Sequence, residues 1–111
     1  MTNREGYQQY VSEANELANQ EDIIYQSQLV IRSEISMLFQ DLMAAYKLLD
    51  VSELDWSGKA KEEFVILREQ LYEIIKEFDR LGDEADYSLT DVRKELNDYY
   101  DQLMGNARKY L

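Results

Sequence analysis

Two long apolar stripes, one on each side of the only tryptophan, constrain this chain more than any other feature of its sequence. The first runs through Tyr7, Tyr10, Ala14, Leu17, Glu21, Ile24, Gln28, Ile31, Ile35, Leu38, Leu42, Ala45 and Leu49, with only Glu21 and Gln28 polar. Its steps alternate between three and four residues. That period belongs to an amphipathic helix, because a strand would place apolar residues at every second position. At 1.5 Å per residue, the first helix extends roughly 65 Å.

The second stripe follows Ala60, Phe64, Leu67, Leu71, Ile74, Phe78, Leu81 and Ala85, then Leu89, Val92, Leu96, Tyr99 and Leu103. Proline is absent and glycine occurs only at positions 6, 58, 82 and 105, so little interrupts either helix. The predicted architecture is all-α: helix 1 over about residues 4–50, a corner at 51–58 and helix 2 over about 59–108, in one hairpin domain spanning 1–111. Two consecutive steps of four near Gly82 act like a coiled-coil stutter and predict a kink or short break at 82–88. Folding the stripes about Trp56 places Leu49 near Phe64, Leu42 near Leu71, Ile35 near Phe78 and Ile24 near Leu89. Gln28 then faces the Gly82–Ser88 stretch, which predicts a softer zone midway along the hairpin.

A further seven-residue series, Ile23, Val30, Met37, Ala44 and Val51, runs beside the first stripe, and Val65, Tyr72 and Ile75 lie off the second. A two-helix hairpin cannot bury so much apolar surface alone. Pairing with a second hairpin into a four-helix bundle would cover it, so these eight positions are the expected partner interface.

With no cysteine and no histidine, the chain has no disulfide, no thiolate or imidazole metal ligands and no Cys or His nucleophile. It contains no phosphate-binding glycine loop and no nucleophile elbow. Neither catalytic residues, nor a metal, nor a cofactor is expected; the many carboxylates, Glu62 with Glu63 or Asp83 with Glu84 and Asp86, are solvated helical faces. A net charge of −11, from 23 acidic and 12 basic residues, opposes binding to nucleic acid or an anionic membrane surface. The N-terminal residues lack the pattern of a cleaved signal peptide and no stretch has the length of a membrane span, so the expectation is a soluble chain made in the cytosol.

Between the stripes, Trp56-Ser57-Gly58 supplies an indole that can cover the open end of a helix pair, a residue that can cap the second helix and a glycine free to adopt unusual backbone angles. Trp56-x-Gly58-x-Ala60-x-x-x-Phe64 resembles the corner of the WXG family, the ESAT-like or ESX proteins of type VII secretion. The resemblance covers nearly the whole chain in length, corner placement and helical pattern. It implies two antiparallel helices, homo- or heterodimerisation into a four-helix bundle and export without a cleaved signal.

Family members or their partners often carry a Tyr-x-x-x-Asp/Glu export signal. Tyr87-Ser88-Leu89-Thr90-Asp91 has that spelling and would present the tyrosine and carboxylate one turn apart to a secretion ATPase. It departs from the family in being followed by twenty residues of helical pattern. Tyr46-Lys47-Leu48-Leu49-Asp50 has the same spelling but lies before the corner and is assigned to structure. The resemblance implies either a substrate exported as a dimer or a small helical partner of a larger LXG-type effector. The alternative is a cytosolic coiled-coil adaptor or assembly subunit that shares only the hairpin.

Overall fold

The computed structural model describes residues 2–111. Helix α1 (Asn3–Ser52) and helix α2 (Gly58–Arg108) flank a short 3-10 turn, Glu53–Asp55, and no strand occurs among the described residues. The two helices pack against each other as an antiparallel hairpin. Both helices begin or end within about two residues of the bounds expected from the pattern.

Local chemistry sets these ends. The Thr2 backbone N–H donates to Glu5 Oε2 and the Glu5 N–H donates to Thr2 Oγ1, each at 3.1 Å, so two otherwise orphaned donors at the start of α1 are satisfied reciprocally. At the other end, Ser52 Oγ donates to the Leu48 carbonyl at 2.8 Å. Trp56 is extended (φ −108°, ψ 151°), and its N–H closes the turn on the Glu53 carbonyl at 3.2 Å. Gly58 then enters α2 with φ +58°. A Cβ there would touch nothing, so the position requires glycine for its backbone conformation and not for space.

The chain forms two compact units. Unit 2 is the contiguous segment Ile31–Ala85, containing the corner; unit 1 joins the residues up to Val30 with Asp86–Leu111. In unit 2, Ile75 is only 1% exposed, the Tyr46 and Tyr72 rings lie 5.3 Å apart, and a Cβ on Gly82 would come within 3.0 Å of Ile35 Cγ2. In unit 1, Ala14 and Ala107 are fully buried, Tyr10 and Tyr110 lie 5.8 Å apart, and Gly6 rests against the Tyr110 ring.

These contacts revise the expected seam. Ile35 lies against Gly82, about one helical turn further along α2 than folding about Trp56 implied. On α2 only alternate members of the apolar stripe, Phe64, Leu71 and Phe78, then Leu89, Leu96 and Leu103, are part-buried, whereas Leu67, Ile74, Leu81 and Tyr99 are largely exposed. The inward track instead follows an unbroken seven-residue series through Lys61, Arg68, Ile75, Gly82, Leu89, Leu96, Leu103 and Tyr110. The inward positions of α2 alternate in steps of three and four except at Phe78, Gly82 and Asp86, two consecutive steps of four, so the expected stutter falls beside Gly82 although an apolar count passes over Lys61, Arg68 and Gly82 themselves. Helix α2 is continuous through residues 82–88, without a break.

Candidate partner-binding surface

The outward series on α1 lies where its spacing places it. Ile23 and Val30 in unit 1, and Met37, Ala44 and Val51 in unit 2, are all exposed, Met37 at 62% and Val51 at 73%. Each of the first four sits two residues after a seam position, Glu21, Gln28, Ile35 or Leu42. Two residues turn an α-helix by about 200°, so the series runs down the back of α1. Opposite the seam, α1 therefore carries a line of exposed apolar side chains, one in seven, set between the polar Gln26, Ser27, Ser33, Glu34, Gln40 and Asp41.

The three positions expected to join this surface from α2 are placed otherwise. Ile75 is the most deeply buried apolar side chain of unit 2, and Tyr72 and Val65 are part-buried, with Tyr72 against Tyr46. Ile75 falls on the same seven-residue register as Arg68 and Gly82, and Tyr72, one turn after Arg68, meets α1 through Tyr46. The large apolar residues exposed on α2 in unit 2 are Ile66, Leu67, Ile74 and Leu81. A shallow groove between Val65, Ile66, Glu69, Gln70, Glu73 and Ile74 opens on that side.

Acid–base pairs border this face. Arg80 donates to Glu77, and through Nη1 to Glu84 at 2.5 Å, while Lys76 Nζ lies 3.0 Å from Glu73 Oε1. The hydrogen bond from Arg80 holds the Glu77 carboxyl below the usual glutamate range, and that from Lys76 to Glu73 raises the Lys76 ammonium. Deeper in the unit, Arg68 Nη1 bridges Asp50 Oδ1 (3.1 Å) and Glu53 Oε2 (2.5 Å), tying α2 to the end of α1 and to the turn. Spacing alone gave no sign of this clamp, because it depends on the fold-back at the corner.

At the corner itself, Trp56 is 45% exposed and its ring stacks on Phe64 with centroids 5.3 Å apart and planes 16° from parallel. Gly58 supplies the left-handed turn and Ala60 is exposed. The indole therefore lies on the second helix and keeps one side open to solvent. Leu48, Val51 and Leu54 nearby are more exposed still.

Tyr87 and Asp91 are both exposed on α2 in unit 1, Tyr87 at 70%. Their i, i+4 spacing puts them on one face of a continuous helix. Among the described residues no group of three or more Asp or Glu side chains converges as metal ligands do, and no helix is long and apolar enough to cross a membrane. Comparison with protein-family models, with curated proteins and with solved structures returns no match.

Proposed function

We propose that this chain is a small helical protein of a type VII secretion system, exported as a dimer or serving as the helical partner of a larger secreted effector. The observation that carries the pairing is the exposed apolar back of α1: Ile23, Val30, Met37, Ala44 and Val51 at seven-residue spacing, on the side away from α2. Burying such side chains contributes on the order of 2 kcal/mol each before the costs of association. Another helical hairpin laid along α1 is the partner that matches a stripe of this period, and the product is a four-helix bundle. The link to secretion rests on Trp56-Ser57-Gly58 with Ala60 and Phe64 at a corner between two long helices, and on Tyr87 and Asp91 as the candidate export signal.

Co-expression with products of neighbouring genes, size analysis of the purified material, and a secretion assay with and without a functional type VII ATPase test this reading. Export that depends on the ATPase, in a dimer or a complex with an effector, is the expected result. Retention in the cytosol in both strains sinks the secretion assignment and leaves an adaptor or assembly subunit. A Tyr87→Ala variant that still pairs but is no longer exported assigns the signal to this chain; unchanged export places the signal elsewhere.

A further inference from the structure

The two flanks of unit 2 differ in chemistry. Leu38 and Ala45 stand one residue before the inward Phe39 and Tyr46, and Ile31 extends their seven-residue series. Leu67, Ile74 and Leu81 stand one residue before the inward Arg68, Ile75 and Gly82. One residue turns an α-helix by about 100°, so each set runs along one edge of its helix, beside the seam. Antiparallel helices are related by a two-fold axis normal to their common plane, which puts edges of the same sense on the same side. The opposite edges show this directly, since Arg68 reaches both Asp50, one residue after Leu49, and Glu69, one residue after Arg68 itself.

On the first flank the five large side chains, Ile31, Leu38, Leu67, Ile74 and Leu81, are 39–64% exposed. Between the two edges lie the part-buried Ile35, Leu42, Leu49, Phe64, Leu71 and Phe78, so one apolar patch spans both helices. A contiguous patch of this kind marks an interaction site. The other flank exposes Gln40, Lys47, Asp50, Glu62, Glu69 and Lys76. Its apolar members Met43, Val65 and Tyr72 are part-buried, and Lys76 Nζ lies 4.9 Å over the Tyr72 ring.

The charge around the patch has one sign. Residues three or four positions from a helical residue are its surface neighbours. At that spacing from Ile31, Leu38, Ala45, Leu67, Ile74 and Leu81 stand five carboxylates, Glu34, Asp41, Glu63, Glu77 and Glu84, and no Lys or Arg. Arg80, on the far side of Glu77 and Glu84, donates to both.

We infer that this flank is a docking surface, separate from the back of α1, for a helical hairpin of another chain whose apolar stripe is bordered by Lys and Arg. A hairpin laid here touches both helices of unit 2. A second copy of this chain would set carboxylates against carboxylates whichever way it is turned, because the patch is acidic along both edges. The inference rests on the pairing half of the proposed function and is independent of export.

The chain itself supplies the probe. Val30→Glu with Met37→Glu, on the back of α1, closes the other surface and serves as the background. In this background Glu34→Lys, Asp41→Lys, Glu63→Lys and Gln70→Lys together turn the exposed border basic and leave the Arg80 pairs in place. Sedimentation should find each chain alone at the mass of one chain and the mixture at the mass of two, with the pairing weakened in high salt. Leu67→Ser, Ile74→Ser and Leu81→Ser together in the acidic chain should abolish the pair, while circular dichroism shows the helices retained. A mixture that does not pair overturns the inference, as does pairing that survives the serine substitutions. An acidic chain that pairs with itself as tightly as with the basic one assigns the flank to a second copy and overturns it too. Because the back of α1 is closed throughout, none of these outcomes bears on pairing there or on secretion.

Discussion

Gly6 and Gly105 occupy opposite ends of the hairpin's tolerance for a side chain. A Cβ on Gly6 would come within 2.4 Å of the Tyr110 ring, whereas one on Gly105 would meet nothing within 4 Å. Gly6→Ala should therefore destabilise the chain by about 1–3 kcal/mol as the ring is displaced. Gly105→Ala should stabilise it by about 0.5–1 kcal/mol by removing the entropic penalty of glycine in a helix. Urea denaturation of the two variants beside the parent checks both signs. A third residue-scale expectation concerns protons. Arg80 depresses the Glu77 pKa in the folded state, so the pair's contribution to stability is complete above the unfolded glutamate value and is lost as pH falls through the folded one. An NMR titration should place the Glu77 carboxyl midpoint below that of glutamate in an unfolded peptide, and Arg80→Gln should return it.

Among the elements, α1 was readable from its sequence almost throughout. Its length, its seam as far as Gln28, and the outward position of Ile23, Val30, Met37, Ala44 and Val51 all follow from counting apolar residues, whereas Ile31, counted into the seam, is exposed. Beyond Ile35 the seam passes through Phe39 and Tyr46, with Leu38 and Ala45 more exposed. Helix α2 was readable as a helix but not in its orientation. Its seam contains Lys61, Arg68, Asp86 and Arg93, whose long or hydrogen-bonded side chains can occupy inward positions that hydropathy assigns to the surface. Gly82 marks an inward position by having no side chain at all, and the Thr2–Glu5 cap was legible as Thr-x-x-Glu but lies before the apolar pattern begins. Adjacent residues give the sharpest test of the revised orientation. Ile75→Ala should lower the stability of the isolated chain by about 2–4 kcal/mol through an unfilled cavity, and Ile74→Ala, at an exposed site, by much less. Comparable losses at both positions would contradict the seam described above.

At the scale of the whole molecule both helices carry the same net charge, but along α1 it is unevenly spread. The stretch from Ile23 to Val51 carries only Arg32, Glu34, Asp41, Lys47 and Asp50, so most of the acidic excess lies elsewhere and the back of α1 is nearly neutral. A nearly neutral stretch on a strongly acidic chain would meet the proposed partner with little of the like-charge repulsion that the rest of the surface would impose. Val30→Glu with Met37→Glu should abolish assembly while circular dichroism still reports a largely helical chain, because both side chains are already exposed in the hairpin. Normal assembly by size analysis would show the face to be ordinary surface. The division into units also prescribes an order of folding. Unit 2 is one contiguous segment closed by a tight corner, while unit 1 must bring together segments separated by the whole of unit 2. Loop closure is costlier for the second, so the nucleus forms at the corner and the helices zip away from it. Weakening substitutions in unit 2 should then slow refolding, whereas those at Ala14 or Tyr110 should chiefly accelerate unfolding.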